Sequence, residues 1–256
     1  MDFMMAGLSV PAFLLAMAIA LFAGFVKGTI GFAMPMIMIS GLSSFLPAEV
    51  ALSGLILPTL MTNLSQAFRQ GLQAFWGSVF KFRRFLGATV LFIAVSAPFM
   101  RDIPQPIFLA MLGIPITLYA VLQLMGRNLA IRLEHQTRAE WGLGMVAGLY
   151  GGVSGVWGPP LIIYLMSAGV EKLEMLRVQG VIFLLGSVML FAAHQSSGAM
   201  TPTSTAFSAS LVLPAMIGMF AGRQLGNRLD QARFRRWTQI LLIVAGSNLI
   251  RRAIGL

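Results

Sequence analysis

Cysteine is absent from this sequence, so it has neither a disulfide nor a thiolate-held metal site available. Charge is scarce as well. Only 8 residues are Asp or Glu, and charged residues make up 10% of the 256, against about 25% in a soluble globular domain. Low-complexity linkers and a separable polar domain are lacking too. The N-terminal MDFMMAGLSVP has no basic n-region and no obvious A-x-A site, so a cleaved signal peptide is not expected. Carboxylates are expected only at segment ends (Glu49, Glu171, Glu174, Asp230). Among the histidines, His194 alone is a candidate to carry a coupled proton, and it is expected near the outer edge, in a loop. No metal, no cofactor and no catalytic residue are expected.

What is present is apolar. Hydrophobic residues account for 57% and mean hydropathy is +0.84. Charge-free runs cover 3–26, 28–47, 103–126, 141–170 and 178–222, and a membrane span takes roughly 20 apolar residues. The sequence therefore describes an all-α integral membrane protein in contact with lipid. Its net charge of +10 does not point to nucleic acid, because the basic residues sit in short loops between apolar segments, as the positive-inside rule requires.

Ten apolar segments are predicted, at about 10–26, 30–46, 50–68, 85–100, 107–125, 141–157, 159–169, 177–195, 203–222 and 237–254. The chain also repeats itself. GFVKGTIGFAMP at 24–35 and GLYGGVSGVWGP at 148–159 share Gly24/Gly148, Gly28/Gly152, Gly31/Gly155 and Pro35/Pro159 at one constant offset. The predicted organisation is a first transmembrane repeat over 1–126, a cytoplasmic connecting loop over 127–140 and a second repeat over 141–256. Five segments per repeat is an odd number, so the two repeats are expected to be inverted in the membrane, a transporter signature. If every segment crosses, fifteen Lys and Arg fall on one side and three on the other. That side is then cytoplasmic and both termini are periplasmic. Two pairs of re-entrant half-helices at the glycine strings would give the same count.

Glycine and proline break helices, and a broken helix in hydrocarbon needs protein or water to satisfy its open N–H and C=O groups. The N-terminus of the helix after a break carries partial positive charge and binds anions. Lys27, Gly28, Thr29 and Gly31 from the first string, with Gly152, Ser154, Gly155, Gly158 and Pro159 from the second, are therefore candidate anion contacts, the two strings being expected to share one site near the midplane. The plainer reading of the same glycines is tight helix packing, and of Lys27, snorkelling to the cytoplasmic edge. Asn63 and Gln66 lie on a polar face with Thr59 and Thr62. Gln179 and Arg177 stand at the entrance of a second polar stripe formed by Gly180, Ser187 and His194. Both stripes suggest a lined cavity, with interhelical hydrogen bonding as the alternative. Tyr164 is a candidate hydrogen-bond donor to an oxyanion, or an interface anchor.

GFVKGTIGFAMPM and GGVSGVWGPPLIIYLMSAGVEKLEMLRVQG resemble the two repeat motifs of the sulfite exporter TauE/SafE family, also called the toluene-sulfonate uptake permeases. The resemblance covers essentially the whole chain. It implies a transporter of small anions across bacterial inner membranes: sulfite, sulfonates, sulfoacetate and related sulfur or carboxylate compounds. Ala33 and Met34 depart from the pattern, standing where the family often has small residues. A homodimer is compatible with this reading. Two other classes remain open. GVSG at 152–155 with His194 echoes the serine and histidine of rhomboid intramembrane proteases, although GTIG at 28–31 has no matching serine. A non-transporting membrane scaffold is the other.

Overall fold

The computed structural model describes residues 7–127, 135–196, 198, 200–226 and 230–255. Half of the expected connecting loop (128–134, with Arg132) and Arg228 of the charge tally lie outside the described residues. All regular structure among the described residues is helical: α1 Val10–Ile30, α2 Met34–Leu42, α3 Ala48–Ala67, α4 Leu72–Lys81, α5 Arg83–Ser96, α6 Gln105–Leu124, α7 Gln136–Ser154, α8 Gly158–Ser167, α9 Lys172–Ser196, α10 Pro202–Ser210, α11 Val212–Gly226 and α12 Gln231–Ala253. Four stretches are both long and apolar enough to cross a bilayer: Val10–Ile30, Gln105–Leu124, Glu174–Ser196 and Pro202–Leu225. The last is interrupted at Leu211. Pro214 has no N–H to return to the carbonyl four residues back, and its ring crowds that carbonyl.

The helices gather into two compact units. One comprises Met1–Pro58, Arg101–Arg127 and Gly198–Leu256; the other comprises Thr59–Met100 and Asn128–Ser197. Each unit draws helices from both halves of the sequence. In the first, α1 packs along α11 and α6 along α12. The α1–α11 contact is glycine against backbone. A Cβ at Gly24 would overlap the carbonyl oxygen of Ala215, and one at Gly28 that of Met219. In return, Gly218 and Gly222 lie on the carbonyls of Leu21 and Phe25. Two GxxxG faces thus meet, the arrangement that lets membrane helices approach closely where burial from water gives no drive. Gly113 and Gly246 do the same between α6 and α12.

In the second unit α5 packs along α7. Gly144, Gly148 and Gly152 face Phe85, Thr89 and Ile93, each position leaving no room for a Cβ. Thr89 Oγ1 and Ser96 Oγ donate to the carbonyls of Gly144 and Gly148 at 3.3 and 3.2 Å. Short, amphipathic α4 was not among the predicted segments. Phe75 buries against Ala67, Val181 and Leu184, while Leu72, Trp76 and Phe80, spaced four apart, are exposed. That face suits lipid at the level of the headgroups.

Candidate functional site

Each unit holds one helix break, and the two breaks are built alike. Helix α1 ends at Ile30, where Gly31 takes a left-handed φ of 87° and returns its N–H to the Lys27 carbonyl. Helix α7 ends at Ser154, where Gly155 has φ 70° and returns its N–H to Gly151. Only glycine adopts this conformation freely. Short helices follow, α2 with Pro35 and α8 with Pro159 in the first turn, where a missing N–H costs nothing. They have 9 and 10 residues, about 14–15 Å at 1.5 Å per residue, so each is roughly half the thickness of a bilayer core.

At the first break, Lys27 is 2% exposed. It does not snorkel out of the protein. Arg223 on α11 is close enough to act on it electrostatically, and the Arg223 backbone N lies against Gly28. Thr29 Oγ1 donates to the Phe25 carbonyl at 2.9 Å and to Gly222 at 3.3 Å, so its hydroxyl ties α1 to α11. Ala33 is the one non-glycine with a left-handed φ among the described residues, at 74°.

The second break is capped differently. Ser154 Oγ donates to the Tyr150 carbonyl at 2.6 Å and accepts from the Val156 N–H at 3.1 Å. Trp157, fully buried, packs on Gly151 and Gly186 and edge-on to Phe183, which also reaches Gly158. Behind the break, Tyr164 on α8 donates to Glu140 Oε1 at 2.8 Å. The other oxygen of Glu140 pairs with Arg84 at 3.5 Å, and Gln136 Nε2 donates to Oε1 at 3.3 Å. Tyr164 also lies between the rings of Phe82 and Phe85. Its hydroxyl is thus committed to a carboxylate. Glu140 is 4% exposed near the start of a helix that begins at Gln136, so it lies at a segment end, as expected of carboxylates, yet is buried there. The expectation of a loop position for His194 is corrected. It is buried in α9 rather than in a loop, with Nδ1 2.9 Å from the Leu190 carbonyl.

The remaining candidates make interhelical bonds within the second unit. Asn63 Nδ2 donates to Ser187 Oγ at 2.8 Å, joining two positions separated by the same 124 residues as the glycine strings. Gln66 donates to the Leu176 carbonyl at 2.9 Å. Arg177 donates to Ser78 Oγ and Gln70 Oε1, both at 3.0 Å, and pairs with Glu174 at 3.5 Å. Gln179 is the exception. It is 2% exposed and its Oε1 has no hydrogen bond, as befits an acceptor left for a ligand or water. Gly28 and Gly152 serve as packing surfaces, as described above.

A family model described as Sulfite exporter TauE/SafE matches residues 16–249. The chain belongs to the sulfite exporter TauE/SafE family. No curated protein and no solved structure matches it. As a TauE/SafE chain it is a membrane transporter of sulfur anions in general terms, and transport rather than catalysis is the activity to explain. The rhomboid-like reading gains no support: the Ser154 hydroxyl is held by its own backbone. Tyr119, Thr238 and Gln239, which line a small cavity with Ile30, Phe32 and Ala33 of the first break, carry no hydropathy signal in this TauE/SafE sequence. Thr238 and Gln239 follow Trp237 at the start of an apolar run and read there as a segment end.

Proposed function

We propose that this protein is a secondary transporter or facilitator for one small anion bearing a sulfite, sulfonate or carboxylate headgroup, with the two helix breaks as its substrate-contacting elements. The observation that carries the reading is Lys27. A lysine 2% exposed, one turn before a left-handed glycine cap, is costly in an apolar setting and finds its use in a negative ligand. The N-terminus of α2 adds partial positive charge from its open N–H groups. In the second unit the orphaned Gln179 oxygen on α9 favours a ligand that brings a donor or a water. The protein is proposed to sit in the bacterial inner membrane, crossing many times, with periplasmic termini and inverted repeats over 1–126 and 141–256.

The test is flux of radiolabelled sulfite, sulfoacetate and a neutral solute into proteoliposomes, under an imposed potential and with or without a pH gradient. Saturable anion flux that weakens in Lys27→Met supports the reading. A folded protein that moves no anion above the neutral-solute leak sinks it and leaves the scaffold. Gly152→Val is the wrong variant for this purpose, because valine there would collide with Ile93 and Ser96 whatever the function.

A further inference from the structure

The first unit contains a cavity of about 10 Å³ beside the helix break, close to the smallest space that holds one water-sized body. Its walls come from three separate parts of the chain: Ile30, Phe32 and Ala33 of the break, Tyr119 of α6, and Thr238 and Gln239 of α12. These three polar side chains are all buried, Gln239 nine-tenths so. Tyr119 OH accepts from Gln123 Nε2 at 3.5 Å. Gln239 makes no hydrogen bond among the described residues. The carboxamide is not sealed off from accessible space, and it lines the cavity.

We propose that this cavity is an oxyanion pocket: it receives one oxygen of the substrate headgroup, with the Gln239 amide as the principal donor and Thr238 beside it. The inference rests on the transporter reading and deepens it, by naming where in the first unit the anion is held. Three features select an anion oxygen over other occupants. No acidic residue lines the cavity, so a cation would find no charge to balance it. Lys27 is buried one turn before the break whose residues wall the cavity. The size excludes a whole sulfite or sulfonate group but suits a single oxygen, leaving the rest of the headgroup to the break itself. Ala33 matters here, because a left-handed residue at this position with only a methyl side chain contributes a wall and little bulk.

The experiment compares wild type, Gln239→Leu and Thr238→Val, purified in detergent and reconstituted. Two readouts are taken: the half-saturation for sulfite flux, and the shift in thermal unfolding on adding sulfite, chloride or sodium. A donor to a charged group contributes enough that its loss costs roughly 10-fold or more in affinity. The expected result is a half-saturation raised about that much in Gln239→Leu and a lost sulfite shift. The unfolding temperature without anion should be unchanged, because Gln239 has no hydrogen bond to lose among the described residues. Thr238→Val should show a smaller change in the same direction, and it stands in if the leucine variant does not fold. Wild-type flux with unchanged half-saturation in both variants overturns the pocket and leaves the transporter standing. No wild-type flux, but a sulfite shift that Gln239→Leu abolishes, keeps the pocket and removes the transporter. No shift with sulfite and no flux overturns both. A sodium shift lost in Gln239→Leu assigns the cavity to a cation and overturns the proposal.

Discussion

The two helix breaks share their glycines and prolines and differ in what surrounds them. Position 27 is Lys and its counterpart 124 residues on is Gly151; position 33 is Ala and its counterpart is Trp157. In the second break the Trp157 ring lies over the space Gly151 leaves open. In the first, a buried lysine takes the glycine's place and a cavity lies beside Ala33. The second break is backed by a buried carboxylate already neutralised by Arg84 and bonded to Tyr164. The backbone of the break thus occurs twice with two chemistries: one lysine-bearing and hollow, one packed and internally balanced.

Six substitutions, in four comparisons, test that contrast. The largest expected loss is at the packed break, where Trp157→Ala would remove a fully buried indole and leave a void. Large-to-small changes of this kind cost about 3–5 kcal/mol, read as a fall in unfolding temperature in detergent; a fall no larger than that of a surface variant would mean the ring fills nothing. Next is Gly28→Ala, set beside Gly152→Ala. The new methyl at 28 meets the Met219 carbonyl, which is backbone, whereas at 152 its nearest neighbour is the Ser96 hydroxyl. Overpacking costs about 1–3 kcal/mol, with position 28 at the upper end. Ser96→Ala should restore part of the loss at 152, and equal losses with no restoration would show that the two helix pairs are equally rigid.

Tyr164→Phe should cost about 1 kcal/mol of stability, for a buried hydrogen bond to a carboxylate that keeps its arginine. Sulfite half-saturation should not move, and a rise there would make Tyr164 a substrate contact after all. The smallest effect is a gain. Ala33→Gly relieves a left-handed alanine and should add about 1 kcal/mol, visible as a small rise in unfolding temperature. Trp157, at φ −115°, offers no such gain.

Helix positions were legible because long apolar runs carry them. The constant offset of the glycine strings pointed to a repeat, and Asn63 donates to Ser187 at the same offset. What hydropathy could not reveal was pairing. Gly28 read both as an anion contact and as part of a packing face with Gly24, and the positions of Ala215 and Met219 show the packing face. Helix α4 was missed because ten residues with polar positions interleaved fall below any span-length window. Glu140 was passed over because it lies among the charged residues of an expected loop, and burial is a property of its neighbours. The cavity at the first break draws on α6 and α12, more than 80 residues from Ala33 in both cases, a distance no local motif reports.

The pairing of α1 with α11 and of α6 with α12 has a consequence for how the protein is made. When α1 leaves the ribosome, the chain it must close upon does not yet exist, and nearly two hundred residues have to follow before Gly218 and Gly222 are available to Gly24 and Gly28. Until then a glycine face waits in the bilayer against lipid or a chaperone. Contacts of such sequence separation form late and slowly. Loss of the last two helices, by truncation or stalled synthesis, would leave the first-inserted helix and the break behind it without a partner, so the C-terminal end of this chain decides whether its N-terminal end is ever assembled.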